Sequence, residues 1–418
     1  MTEAGSGVTT LRADVIAGLS LAGLLLPEAV AYSGLAGLPA RAGIVAMLAG
    51  LIVYALAGSS RLAIVSATSS SATVLLAATT GLAGTDQVLR MALSAGLVIL
   101  AGAALVIAGA AGLGGVSNFI AKPVLRGFAF GLAATIVVRQ IAKIVEVHPT
   151  HSDLVHFGWD VAVAWRSWNL TGLWMAAASL VVLRLLGRWR MIPGALLVIA
   201  AGIGLDVAGV TAAHGVPVVG AINLELLAPS VPDLSRDSWF RLGELALAMV
   251  FILYAESYGS IQTFALRHND RTSPNRDLIA LGLCNVASGL FQGLPAGAGY
   301  SGTSANEAAG AQSRVAGALA AGMVLLVLWT LLPWIERTPE PMLAAVVIHA
   351  VSHTLGVSVL RPYFEWRRDR TVVIAAILAV LLLGVLDGLL VAVAISLGVM
   401  LRNMSIPRVA WLGCLRDG

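Results

Sequence analysis

Two acidic residues sit where an apolar chain has least reason to hold them. Glu28 lies mid-way along the first apolar run, one residue after Pro27 and four before Tyr32, in Leu-Pro-Glu-Ala-Val-Ala-Tyr. Glu256 holds the same ordinal place in the second half, in Tyr-Ala-Glu-Ser-Tyr-Gly-Ser, which also supplies Ser260. A carboxylate near the bilayer centre costs on the order of 2.5–3.5 kcal/mol on insertion scales, so a matched pair argues for an ion or proton pathway. The competing reading is a carboxylate that caps a neighbouring half-helix. Proline removes a backbone donor and opens its helix, which leaves carbonyls free to line a cavity, and the spacing of four puts Tyr32 on the face of Glu28.

Two polar stretches supply the other half of the chemistry. One is Ser66-Ala67-Thr68-Ser69-Ser70-Ser71; the other runs from Pro295 through Tyr300-Ser301-Gly302-Thr303-Ser304 to Asn306. Both are too short and too broken to span a bilayer. If strand-like lead-ins at 63–67 and 296–299 turn into half-helices inside the membrane, the unpaired N–H groups at their starts attract an anion. Ser69, Ser70, Ser71, Thr303 and Ser304 add hydroxyl donors, and the glycines let a small ligand approach the backbone. Tyr32, Tyr300, Ser301 and Gly302 complete the candidate substrate site.

The elements that position these residues are membrane spans. The 418 residues are 58% hydrophobic and 11% charged, against about 45–50% and 25% in an ordinary soluble domain. Apolar runs fall at 13–33, 43–57, a half-length 69–82, 88–113, 124–138, 170–186 and 194–210. The second half repeats the pattern at 242–265, 278–294, a broken 300–311, 315–334, 342–355, 372–386 and 389–400. Equal halves with a defective third member predict an all-α polytopic protein of about fourteen segments in two inverted repeats of seven, its two short half-helices (third and tenth) meeting at the midplane. Arg184, Arg188 and Arg190, then Arg267, Arg271 and Arg276, then Arg361, Arg367, Arg368 and Arg370, and Arg402, Arg408 and Arg416 in the tail all fall on one side of that arrangement. Glu146, Asp153, Asp160, Glu225, Asp233 and Asp237 fall on the other, which places both termini in the cytoplasm of a cell (inner or plasma) membrane protein. Basic residues scattered in short loops report topology; the net charge of +4 does not imply a nucleic-acid partner. The polar first ten residues lack a basic n-region, so no cleavable signal peptide is predicted.

Other clusters have plainer readings. His148, His151 and His156, with Asp153 and Asp160, have a spacing too loose for a zinc site and read as a solvated outer loop. His349 and His353, one helical turn apart, read as an interhelical hydrogen bond or a helix-end position before a proton path. The Gly-small pattern of 101–115 allows close helix packing. Cys284 and Cys414 imply neither a disulfide framework nor a metal site. No Ser, His and Asp set or metal pair lies within the spans, so the chain does not read as an enzyme, and it has no cofactor beyond a coupling ion.

The run from Leu24-Leu25-Leu26-Pro27-Glu28 through Tyr32 to Ala36-Gly37-Leu38-Pro39 resembles the first-span signature of the sulfate permease (SulP) anion transporters. Asn275-Arg276-Asp277-Leu278-Ile279, then Gly282 to Leu290, and on to Asn306 and Gly310-Ala311 resemble the family's ninth and tenth spans. The resemblance implies a UraA-like fold in a transporter domain over 1–404. Its core would be spans 1–4 and 8–11 and its gate spans 5–7 and 12–14. It also implies an anion between half-helices three and ten, and a homodimer. Residues 405–418 look like a cytoplasmic linker toward a STAS domain, absent here. Many family members have Ser-Arg where this chain has Ser301-Gly302, and Glu28 stands for the usual Gln. The Gly302-Thr303-Ser304 arrangement looks like the sodium-coupled bicarbonate branch, where residues matching Glu256, Ser260 and Gly302–Ser304 would hold sodium. A proton-coupled branch, with Glu28 titrating, competes with it.

The expectation is a secondary active transporter of a small anion (bicarbonate, sulfate or a dicarboxylate), coupled to sodium or protons and working by alternating access in a lipid bilayer. Two alternatives stay open. A nucleobase–proton symporter of the same fold would need Glu307 to read the base, and an uncoupled anion channel would have no need of intramembrane acids.

Overall fold

The computed structural model describes residues 3–84, 86–115, 122–149, 151, 153–187, 194–222, 228–352, 354–365 and 370–384, with 387, 388, 391, 394, 395 and 398 beyond them. Its elements are α1 (Glu3–Leu35), α2 (Ala40–Ala57), β1 (Val65–Ala67), α3 (Ser69–Ala83), α4 (Gln87–Ala110), α5 (Lys122–Ile144), α6 (Leu154–Val163), α7 (Leu170–Leu186), α8 (Gly194–Val207), α9 (Val210–Ala213), α10 (Arg236–His268), α11 (Pro274–Leu290), β2 (Ala296–Ala298), α12 (Tyr300–Ala308), α13 (Val315–Ile335), α14 (Glu340–Ser352), α15 (Val357–Glu365) and α16 (Arg370–Leu383). Helices dominate because hydrocarbon offers no partner to a backbone N–H or C=O, so each segment satisfies its own. Polar side chains start several of them: Asp86 accepts from the N–H groups of Val88 and Leu89, Asn169 from Gly172 and Ser235 from Ser238.

Each of the first thirteen predicted runs coincides with a helix. Among the described residues, six helices are long and apolar enough to cross a membrane: α1 from Thr10, α2, α4, α5 from Arg126, α10 and α13. The helices α7, α8, α11, α14 and α16 are shorter, and α3 and α12 are the expected half-length pair. The run at 389–400 lies mostly outside the described residues. So do His353, Glu225, Cys414, Arg188, Arg190, Arg367, Arg368, Arg402, Arg408, Arg416 and the 405–418 tail.

The stretch at 154–167, expected as an outer loop, is helical. Asp153 caps α6 by accepting from the His156 N–H, and α6 with the 3-10 turn at 164–167 meets α7 at 116°. The histidines pair locally, His151 with Asp160 at 2.8 Å and His156 with Asp153 at 2.6 Å, and among the described residues no group of three ligands could hold a metal. His349 falls in the last turn of α14, the helix-end position.

At the centre, β1 and β2 pair antiparallel, Val65 with Ala298, Ser66 with Gly297 and Ala67 with Ala296, all six residues buried. Non-helical backbone at membrane depth survives only where protein satisfies it. Asn285 on α11 does so twice, donating to the Ala296 carbonyl at 2.8 Å and accepting from its N–H at 2.9 Å. Ser257 on α10 accepts from the Ala298 N–H at 2.9 Å, and Ser71 donates to the Pro295 carbonyl at 3.2 Å.

Small residues bring the surrounding helices close. A Cβ on Gly282 would lie 2.6 Å from the Gly102 carbonyl oxygen, and one on Gly102 lies 2.6 Å from the Val286 nitrogen, so α4 and α11 cross with their backbones nearly touching. That bears out the packing role predicted for 101–115. The largest apolar cluster joins α1 to α4, the two strands, α10, α11 and α13, while smaller ones tie α5 to α7 and α14, and α7 to α8 and α14.

Candidate functional site between two half-helices

Each half-helix begins where its strand ends. Thr68 caps α3, its hydroxyl accepting from the Ser71 N–H at 3.3 Å. Beyond that cap the hydroxyls meet a carboxylate: Thr68 Oγ1 donates to Glu256 Oε2 at 3.1 Å, and Ser70 donates to the same oxygen. Glu256 comes from α10, which packs across α3. Hydrogen bonds to a charged group contribute about 1.5–3 kcal/mol each, enough to fix the side chain.

The second half-helix shows the mirrored arrangement. Ser301, in the first turn of α12, hydrogen-bonds the buried Glu28 carboxylate from α1. Tyr32, 3% exposed, joins the two halves: it lies within electrostatic reach of both Glu28 and Glu256 and takes a hydrogen bond from Ser69. The acid of each half therefore rests on the half-helix of the other. Among the described residues, the side chains that hydrogen-bond the two carboxylates are hydroxyls, not lysine or arginine.

Not every expected residue joins this cluster. Tyr300 is 41% exposed, stacked on Phe264 with centroids 5.1 Å apart and hydrogen-bonded to Arg267, so it opens α12 from outside the cluster. Thr303 is fully buried, donating to the Gly299 carbonyl at 2.8 Å and accepting from the Ile64 N–H at 3.3 Å. Ser260 reaches that same carbonyl at 3.4 Å. Ser304 is half-buried on α12 after Thr303. A Cβ on Gly302 would lie 3.3 Å from both Ile64 Cγ2 and Leu25 Cδ2, so this position faces apolar packing. Glu307 binds Arg267 and His268 from the end of α10, each at 2.7 Å.

Sequence reasoning missed several residues that build the site. Thr68 lay in the polar stretch but was not singled out, although a hydroxyl just before a helix start is a cap signal. Asn285 and Ser257 carry the strands with nothing in their spacing to announce it. Two more acids are buried and held by hydrogen bonds from other elements: Asp14 accepts from the N–H groups of Gln312 and Ser313 at 2.7 and 3.1 Å, and Asp277 accepts from the Tyr54 hydroxyl at 2.9 Å and the Ser59 N–H at 2.7 Å.

Comparisons with known proteins give the chain a family and a fold. A profile described as "Sulfate permease family" matches residues 11–359. A probable sulfate transporter of Mycobacterium tuberculosis is 32% identical over 96% of this chain and 72% of its own length. Human solute carrier family 26 member 6 is 30% identical over 97% of this chain and 57% of its own. In fold, the murine anion transporter solute carrier 26 family member A9, in its inward-facing state, superposes with a TM-score of 0.86 at 21% identity, covering 94% of this chain and 69% of that one. The transmembrane domain of a cyanobacterial bicarbonate transporter, BicA, gives 0.78 at 19%, covering 93% and 98%. The chain thus belongs to the sulfate permease family, whose members are transporters and not enzymes.

Proposed function

We propose that the protein is a secondary active transporter of a small anion, coupled to an inward cation and working by alternating access around the two half-helices. The observation that carries this reading is the crosswise pairing of Glu256 with Thr68 and Ser70, and of Glu28 with Ser301. Hydroxyls and helix starts suit an anion, whereas two carboxylates without a neighbouring fixed cation repel one, so a sodium ion or a proton has to accompany it. A channel has no use for such acids. Glu307, the residue a nucleobase carrier would need, is held by Arg267 and His268 at the far end of α12.

The wider arrangement goes with this reading: two inverted seven-span repeats, a core of spans 1–4 and 8–11 moving against a gate of spans 5–7 and 12–14, a homodimer, and both termini in the cytoplasm. The test is uptake of labelled bicarbonate, sulfate, fumarate and uracil into proteoliposomes, with sodium and proton gradients imposed separately. Gradient-driven accumulation of an anion is expected. Uptake of uracil alone would overturn the substrate class, and anion uptake indifferent to both gradients would overturn the coupling.

A further inference from the structure

We infer that the Glu256 carboxylate and the transported anion are alternative occupants of one hydroxyl pair, Thr68 and Ser70, at the start of α3. This rests on the anion reading above and narrows it. A hydroxyl has a single proton to give. At α3 those protons are committed. Ser71 reaches the main-chain carbonyls of Thr68 and Pro295 at 3.1 and 3.2 Å, and Ser69 is engaged by Tyr32. Ser70 donates to Glu256 Oε2, and Thr68 Oγ1 lies 3.1 Å from that oxygen and 3.0 Å from Ser71 Oγ, sharing its one proton between them.

An anion arriving at α3 therefore finds a carboxylate of the protein already in the position it needs. Its negative charge opposes entry, and its hydrogen bonds use the donors the anion would take. Binding follows only when Glu256 turns away or loses its charge. The resident ligand also describes the substrate: a group that replaces a carboxylate oxygen on two hydroxyls is a small carboxylate-like oxyanion, such as bicarbonate or formate. A sodium-ligand role for Glu256 predicts the opposite sign, since removing the carboxylate would then remove the cation that draws the anion in.

The experiment is calorimetric titration of formate and bicarbonate into the full chain in nanodiscs, in sodium-free buffer. Glu256→Gln should bind formate about tenfold more tightly than the wild type, because a like charge beside the ligand is gone. Adding Ser70→Ala to that variant should reverse the gain. Infrared difference spectra of the unmutated protein give a second measurement that does not depend on the variant folding: formate should shift a carboxylate band as Glu256 gives up its hydroxyl partners. Unchanged or weaker formate binding by folded Glu256→Gln, or formate binding to the wild type with no carboxylate shift, would overturn the inference and leave the anion reading intact. If formate, bicarbonate and sulfate all fail to bind the wild type while uracil binds, the anion reading fails first and takes the inference with it.

Discussion

On the proposed coupling role of Glu256, Glu256→Gln should reduce uphill anion uptake into proteoliposomes by at least about a hundredfold, because the amide carries no charge to balance a cation. Near wild-type accumulation would make the acid a structural group satisfied by its hydrogen bonds, as the buried Asp14 and Asp277 are in this chain. Gly302 makes a separate test. Its absent side chain would point at Leu25 and Ile64, so Gly302→Ala should lower stability by about 1 kcal/mol and leave transport nearly intact, read by thermal unfolding and uptake. An arginine at this position has to displace the same two side chains, so the missing family cation is a question of packing as well as of charge. The two acids were legible because charge deep in an apolar run stands out. Where Tyr300 points was not legible: at the first position of α12 its ring packs on Phe264, a direction that spacing alone does not fix.

Among the elements, Asn285 on α11 is the most exposed to test. Asn285→Leu leaves the Ala296 N–H and carbonyl without partners, and each buried unsatisfied group costs about 1–3 kcal/mol. Thermal unfolding in detergent should fall by several degrees, with anion uptake lost alongside because β2 sets the start of α12. Gly282→Val should be still more damaging, since a Cβ there meets the Gly102 carbonyl at 2.6 Å and neither backbone can yield. The strands and half-helices were readable from glycines and hydroxyls interrupting apolar runs. The α6 helix was not, because its histidines and acids suggested solvent, while the capping Asp153 that begins it was overlooked. Side chains that clamp the strands, such as Asn285 and Ser257, have no one-dimensional signature: their partners lie on other elements.

For the whole molecule, pH acts through α6. The hydrogen bond that His151 donates to the Asp160 carboxylate raises its pKa above the ordinary 6.5, and the His156 backbone N–H holds Asp153 below its ordinary 3.8. The His151 contribution is fully present below about pH 6.5 and is lost as pH rises through the folded value; that of Asp153 is present above about pH 3.8 and is lost as pH falls. The α6 helix should therefore be tightest in the mildly acidic window between them. Fluorescence of the nearby Trp159 and Trp165 should follow a titration with its midpoint above 6.5, which His151→Gln abolishes. The antiparallel strand pair bears on how the molecule is made. The Ser71 clamp and the site bond beside it join residues far apart in the chain, Ser71 to Pro295 across 224 positions and Thr68 to Glu256 across 188. During synthesis, the first half must wait in the bilayer with an unpaired strand and the Glu28 carboxylate uncovered until the second half emerges from the ribosome. Closing such long loops is slow, so the binding site is among the last parts to form, and that interval is when a nascent chain is most open to quality control.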